Sequence, residues 1–146
     1  MHTDELDRLI KGDNMPSQDV NLITQKIIGR VYDVSNTLGI GFVEKVYENA
    51  LAHTLRKSGM QVAQQYPIKV HYDGILVGEF FADLLVEERV LVELKAVSML
   101  NNDHVAQALN YLRATGLEVC LLINFGRPKA EVKRLIPYTS WKTPQP

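Results

Sequence analysis

Two carboxylates and a lysine have a spacing in this sequence that suits metal-assisted chemistry. Asp83 and Glu93 lie in two segments that read as neighbouring strands. A tight turn at residues 87–89 would set these acids directly opposite each other, with Cβ atoms about 5 Å apart. Lys95 follows Glu93 by two residues and therefore shares its face, because side chains alternate along a strand. The spacing predicts a cluster of two acids and one base on a hairpin.

This cluster is unusual for a purely structural hairpin. Two carboxylates placed opposite each other repel, and these lie near apolar residues such as Leu85 and Leu91. A buried acid pair needs a shared proton or a cation. A divalent ion such as Mg²⁺ would bind both oxygens and keep positions for phosphate, while Lys95 orients water or stabilises charge. The alternative is a solvated hairpin face on which Lys95 offsets the acids, and spacing alone leaves both readings open.

The elements that position the cluster follow from periodicity and turn residues. Apolar residues with a 3.6-residue repeat predict three helices, and extended patterns bounded by turns predict five strands. The predicted helices cover residues 19–38, 42–57 and 104–114, with Asp19 capping the first and Asn102 or Asp103 the last. The predicted strands cover residues 61–72, 75–86, 89–97, 117–124 and 132–137. This order predicts one α/β domain with a mixed sheet over residues 19–138, between a flexible leader at 1–18 and an irregular tail at 139–146.

The same periodicities predict which side chains share a face on one strand and on two helices. The second strand is expected to present two alternating sets, Phe81, Asp83 and Leu85 on one face and Phe80, Ala82, Leu84 and Val86 on the other. On the second helix Glu44 shares a stripe with Tyr47 and Leu51, which predicts a partly buried acid. On the last helix a polar stripe, His104, Gln107 and Tyr111, is separate from the apolar stripe, Val105, Ala108, Leu109 and Leu112.

Composition limits the function classes. The chain has 146 residues and a formal net charge of −1, so broad electrostatic wrapping of DNA is not expected. Cys120 is the single cysteine and lies in an apolar run, which predicts a buried, unreactive thiol. The sequence lacks a signal-type apolar segment and a membrane-length apolar run, so a cytoplasmic protein without membrane association is the default expectation.

Five short motifs in order resemble the GxxExxY family, which is placed in the PD-(D/E)XK nuclease superfamily. They are Gly41-Phe42-Val43-Glu44-Lys45-Val46-Tyr47, Phe81-Ala82-Asp83, Val92-Glu93-Leu94-Lys95, Gln107-Ala108-Leu109-Asn110-Tyr111 and Leu122-Ile123-Asn124-Phe125-Gly126. Each motif alone is weak, but together they extend from about Leu22 to Ile136. The resemblance implies a restriction-endonuclease-like fold with a mixed central sheet flanked by helices.

The resemblance also implies roles for particular residues. Asp83 and Glu93 would be metal ligands, Lys95 the catalytic lysine, and Glu44 an additional acid at the metal. Gln107 and Tyr111 resemble the Q-x-x-x-Y motif of RecB-like nucleases. The implied cofactor is Mg²⁺ or Mn²⁺, and the implied partner is DNA or RNA.

Three functions remain open from the sequence. The first is a metal-dependent nuclease that hydrolyses phosphodiester bonds. The second is a catalytically silent module that binds nucleic acid or a protein partner, with a homo-oligomer as one form. The third is a small-molecule hydrolase that uses the same metal. The complete set of Asp83, Glu93 and Lys95 argues against a decayed site and favours the first function.

Overall fold

The computed structural model describes residues 18–137, which form three helices and five strands. The helices are α1 (Gln18–Leu38), α2 (Glu44–Lys57) and α3 (Asn102–Thr115). The strands are β1 (Val62–Tyr72), β2 (Ile75–Val86), β3 (Val90–Lys95), β4 (Val119–Asn124) and β5 (Glu131–Leu135). All eight predicted elements are confirmed with boundaries that agree within two residues. The predicted leader and tail lie almost entirely outside the described residues and stay predictions.

The five strands form one mixed sheet in the order β1-β2-β3-β4-β5. Neighbouring strands are antiparallel except β3 and β4, which are parallel because α3 makes the crossover between them. One face of the sheet packs against α1 and α2 and the other against α3, so the core has two layers of apolar side chains. Within residues 18–137, no helix is long and apolar enough to cross a membrane.

The β1–β2 hairpin extends well beyond the rest of the sheet. Its strands pair from Val62↔Val86 to Tyr72↔Ile75, whereas β2 pairs with β3 only through its last three residues. The hairpin turn has φ of +52° at Asp73 and +76° at Gly74. Asp-Gly is favoured where both central residues need positive φ, so the predicted turn is confirmed. The outer part of this hairpin projects beside α3 as an arm.

The predicted faces of β2 are wrong on one side of Asp83. Leu84 and Val86 pack on the α1–α2 face, but Ala82 packs on the α3 face, although all three were expected to share a face. Gln65 on β1 lies at the same point, with a φ of +53° where the ladder is interrupted between Gln64↔Leu84 and Tyr66↔Ala82.

The end of β4 is fastened to the segment that follows β3. Asn124 is fully buried, and its side-chain oxygen accepts hydrogen bonds from the N–H groups of Val97 (3.0 Å) and Gly126 (2.9 Å). Its amide nitrogen donates to the Val97 carbonyl (2.9 Å) and to Glu131 (3.0 Å). A buried amide with four partners holds the backbone just beyond Lys95 in one position.

Gly126→Ala should unfold or strongly destabilise the protein. A Cβ at this position would overlap backbone atoms of Val97, which cannot move without breaking the bonds to Asn124. We expect the free energy of unfolding to fall by about 2 kcal/mol or more in urea titrations. Gly29→Ala in α1 is the matched control, because nothing lies within 4 Å of the added Cβ. That change should be neutral or stabilise by up to about 1 kcal/mol, and equal effects of the two substitutions would contradict the close approach at Gly126.

Candidate active site

The β2–β3 hairpin opens at the two acids. The last residues that pair across it are Leu85↔Leu91 and Leu84↔Val92, and continuing this register by one residue sets Asp83 opposite Glu93. There the acids take over the backbone hydrogen bonds. Asp83 Oδ2 accepts from the N–H of Leu94 (2.8 Å), and Glu93 Oε1 accepts from the N–H of Asp83 (3.1 Å). Each carboxylate is therefore held against the opposite strand.

Burial and mutual repulsion dominate the electrostatics of this pair. Glu93 is 4% exposed. Its pKa is raised from 4.5 to about 8, first by burial and then by the Asp83 carboxylate, with a smaller contribution from Glu44. Burial also raises the pKa of Asp83, and the Glu48 carboxylate adds to that rise. Lys95 lowers both pKa values but does not offset burial, so the pair is short of positive charge.

The donor set fits a divalent ion that is held jointly with a substrate. Among residues 18–137, no three His, Cys, Asp or Glu side chains gather closely enough to hold an ion by themselves. Mg²⁺ needs less from the protein, because it is usually bound by one or two carboxylates and completes its octahedron with water and phosphate oxygens. The Asp83 and Glu93 carboxylates suit such an open site and do not suit a closed all-protein cage.

Lys95 and the polar face of α3 lie next to the acids. The Lys95 ammonium donates to the side-chain oxygen of Gln107 (3.3 Å). Tyr111 is 7% exposed, and its pKa is raised by burial first and then by the charges of Glu93 and Asp83. The structure thus brings Gln107 and Tyr111 to the side of the site that Lys95 occupies.

His104 has a different place from the other two members of its stripe. Its backbone N–H donates to the Asn101 side chain (3.0 Å), and its ring Nδ1 accepts from the Asn101 N–H (3.1 Å). This reciprocal pair is a capping box at the start of α3. The N-cap is therefore Asn101, and the predicted caps Asn102 and Asp103 are wrong because the helix begins earlier.

The predicted partial burial of Glu44 is wrong. Tyr47 and Leu51 are fully buried as the stripe requires, but Glu44 is exposed in the first turn of α2, before that face meets the sheet. Its charge still acts on Glu93. The buried acid of this helix is Glu48, one turn further on and 3% exposed.

Glu48 is the functional candidate that sequence reasoning missed. It accepts hydrogen bonds from Lys45 (2.9 Å), Gln64 (2.7 Å) and Gln65 (2.7 Å). The Gln65 amide nitrogen also approaches Asp83 Oδ1 at 3.3 Å, so it bridges the two acids. The available signal was the i, i+4 spacing of Glu44 and Glu48, which places both on one side of α2.

Tyr47 has a structural role in the motif that it ends. Its hydroxyl donates to the Gly39 carbonyl (2.6 Å) and accepts from the Phe42 N–H (3.3 Å), which fixes the loop before α2. Its ring stacks on Phe125 at a centroid distance of 4.7 Å. Phe125 in turn donates its backbone N–H to the Lys95 carbonyl (2.8 Å). The motif loop and β3 are therefore connected through one aromatic pair.

Cys120 is buried near the two acids, and its thiol is unreactive. It is fully buried among the side chains that pack against α3, as predicted. Burial raises the pKa of its thiol well above the usual range, and the negative charge of Glu93 adds to the rise. A thiol in this state is a weak nucleophile, so the predicted packing role fits its environment.

Comparison with known proteins decides the family. A model of the PD-(D/E)XK nuclease superfamily matches residues 21–135. The chain belongs to this superfamily. Its sheet and flanking helices form the predicted restriction-endonuclease-like fold, since they resemble the crystal structure of an alkaline exonuclease (LHK-Exo) from Laribacter hongkongensis. That likeness has a TM-score of 0.50 at 15% sequence identity and covers 66% of this chain.

The likeness of this PD-(D/E)XK protein to the exonuclease extends over only part of the exonuclease chain. The matched region covers 57% of the exonuclease chain, less than two thirds of its length. At 15% identity the comparison supports the fold. No curated protein matches the chain. The activity of this superfamily member must therefore be argued from its own residues.

Glu93→Gln should change the pH dependence of stability. Because the folded-state pKa of about 8 lies above the ordinary 4.5, the contribution of Glu93 is fully present below about pH 4.5 and is lost as the pH rises to about 8. The glutamine variant cannot ionise at this position, so it does not lose this stability as the pH rises. Its free energy of unfolding should therefore gain on the wild type by up to about 1.4 kcal/mol per pH unit across that window.

Urea unfolding in EDTA, near pH 4.5 and near pH 8, measures this difference. Added Mn²⁺ should stabilise the wild type near pH 8 and stabilise the variant much less. A stability difference that does not change with pH would show that Glu93 titrates normally and would remove the argument for a charge-deficient site.

Proposed function

We propose that this protein is a divalent-metal-dependent nuclease of the GxxExxY type, which hydrolyses phosphodiester bonds of DNA or RNA. The observation that carries the proposal is the facing pair of half-buried Asp83 and buried Glu93 with Lys95 beside it, in a chain of a nuclease superfamily. The pair needs positive charge, and a divalent ion with a phosphate ligand supplies it in a form that is useful for hydrolysis.

Asp83 and Glu93 are proposed to hold Mg²⁺ or Mn²⁺. When bound, such an ion polarises a phosphate oxygen and lowers the pKa of water. The hydrogen bonds from Leu94 and Asp83 orient the two carboxylates before any ion arrives, which limits the reorganisation that binding requires. Deprotonated Glu93 is the form that binds, so metal affinity should rise with pH.

Lys95, Gln107 and Tyr111 are proposed to act on the substrate and the attacking water. The Lys95 ammonium can orient that water for in-line attack and stabilise charge on the phosphate. Gln107 fixes the ammonium by accepting its hydrogen bond and can donate its own amide N–H to a phosphate oxygen. The Tyr111 hydroxyl, which burial and the acids keep protonated, is a hydrogen-bond donor at the same place.

Two acids of α2 are proposed to support the site in different ways. Glu44 is the additional acid that the motif predicts, and its exposed carboxylate acts electrostatically on Glu93. Glu48 is proposed to position Asp83, because Gln65 donates to both carboxylates. Glu44 would therefore bind the ion, whereas Glu48 would act through Asp83 and need not touch the ion.

A binding module without catalysis is the second candidate, and the β1–β2 arm favours it. Ile75, Val77 and Phe81 on this arm are all at least 49% exposed, which suits contact with a partner or a second copy of the chain. A small-molecule hydrolase and a homo-oligomer stay open with it. The cytoplasmic location expected from the sequence also stays a prediction.

Asp83→Asn and Lys95→Ala should each abolish nuclease activity. We expect a rate loss of about 100-fold or more on labelled single- and double-stranded DNA and RNA with Mg²⁺ or Mn²⁺, because each change removes a charge that acts on the transition state. Lys133→Ala is the control, since Lys133 is exposed on the opposite edge strand β5.

Activity that survives both substitutions would refute the site. If the wild type cleaves none of the substrates and calorimetry detects no Mn²⁺ binding, the binding module is the better description. If Mn²⁺ binds and Asp83→Asn abolishes the binding, the metal site stands even where the tested substrates are poor.

Glu44→Gln and Glu48→Gln should separate a ligand from a positioning residue. Glu44→Gln should weaken Mn²⁺ binding in calorimetry and leave stability nearly unchanged, because the side chain is exposed. Glu48→Gln should lower the free energy of unfolding by about 1–3 kcal/mol, since the new amide group faces Lys45 and Gln64, which are themselves donors. Unchanged Mn²⁺ affinity in Glu44→Gln would exclude Glu44 as a ligand.

A further inference from the structure

A cleft opens between the β1–β2 arm and α3, directly beside the acid–lysine site. Its volume is about 860 Å³. Gln107 and Tyr111 line it, and Lys95 donates to Gln107, so the cleft borders the site at these residues. Neither Asp83 nor Glu93 lines it, which makes it a separate surface for the part of a substrate that is not being cut.

The walls of this cleft combine cations with an aromatic face. Lys69 from β1 and Arg113 from α3 are the cations, against one acid, Asp103, and the His71 ring from β1 lies among them. Phe80 comes from β2 and is 45% exposed, although its ring meets Tyr111 at a centroid distance of 5.7 Å. An exposed ring next to cations is the combination that binds nucleotides, with the base on the ring and the phosphate on the cations.

We infer that this cleft binds a single-stranded segment of nucleic acid, with a base against Phe80 and phosphates near Lys69 and Arg113, and that it leads the strand to Asp83 and Glu93. This inference rests on the proposed nuclease function and names its substrate class. An unpaired strand exposes the faces of its bases, whereas a duplex hides them in the stack. The net charge of −1 and the few cations in the cleft also argue against the many phosphate contacts that duplex binding uses.

Binding in EDTA tests the cleft independently of cleavage. The probes are a fluorescein-labelled oligothymidylate, an oligouridylate and a mixed-sequence duplex of the same length, read by fluorescence polarisation with the full chain. We expect both single strands to bind more tightly than the duplex. The relative affinity of DNA and RNA then identifies the preferred strand, and either preference agrees with the inference.

Phe80→Ala should weaken single-strand binding by about tenfold, because it removes a stacking surface. Phe80→Trp should retain the binding. Phe81→Ala is the matched control, since Phe81 is the next residue of β2, is 49% exposed and does not line the cleft. Circular dichroism and melting curves of all three variants show whether any loss reflects unfolding.

Salt dependence gives a second, independent measurement. Two cations on the phosphates of a single strand predict a slope of about −1.4 for the logarithm of the binding constant against the logarithm of salt concentration. Lys69→Ala should reduce the magnitude of that slope by about 0.7, and Lys133→Ala should leave it unchanged. Equal or tighter duplex binding, or Phe80→Ala behaving as Phe81→Ala does, would overturn the inference.

The two proposals fail in different ways. Single-strand binding that depends on Phe80, without cleavage under any metal condition, would sustain the cleft and overturn the nuclease. Cleavage that depends on Lys95 but not on Phe80, with an unchanged KM, would sustain the nuclease and overturn the cleft. Binding of no oligonucleotide at all would overturn the cleft and leave the arm as a surface for protein.

Discussion

The β2–β3 hairpin opens where two carboxylates replace backbone carbonyls as hydrogen-bond acceptors, and the site depends on this exchange. The N–H groups of Asp83 and Leu94 stay paired, so opening the ladder leaves no orphaned donor. The exchange satisfies the backbone but does not neutralise the carboxylates. The backbone donors are therefore paired at this point, whereas the charge of the two acids would still need a cation to balance it.

The surrounding elements keep the hairpin open by fixing both of its strands. On the β2 side, the left-handed backbone of Gln65 interrupts the regular pairing opposite Asp83, and its side chain holds Asp83 and Glu48 together. On the β3 side, parallel pairing with β4 continues up to Lys95, and Asn124 fastens the next turn of chain. Asn124 is fully buried, whereas the Gln65 side chain is exposed and is held by its two acidic partners.

The sequence predicted what depends on local periodicity and on turn chemistry. The register that opposes Asp83 to Glu93 followed from a short turn between two strands. What it could not predict depends on single backbone conformations. The face change at Ala82 coincides with the positive φ of Gln65 on the neighbouring strand, and glutamine is a residue type that carries no signal for that conformation. The buried acid of α2 is Glu48 and not the predicted Glu44, because of where this helix first meets the sheet. Helical spacing alone does not determine that position.

The G-x-x-E-x-x-Y motif shows why a motif does not separate chemistry from architecture. Its tyrosine, Tyr47, ties the loop at Gly39 to Phe125 and through it to the backbone of Lys95. Its glutamate, Glu44, is exposed in the first turn of α2, and its charge acts on Glu93. One motif therefore contains a residue whose loss would displace the site and one whose loss would alter its charge. Only measurements that report stability and metal affinity separately can assign each residue its part.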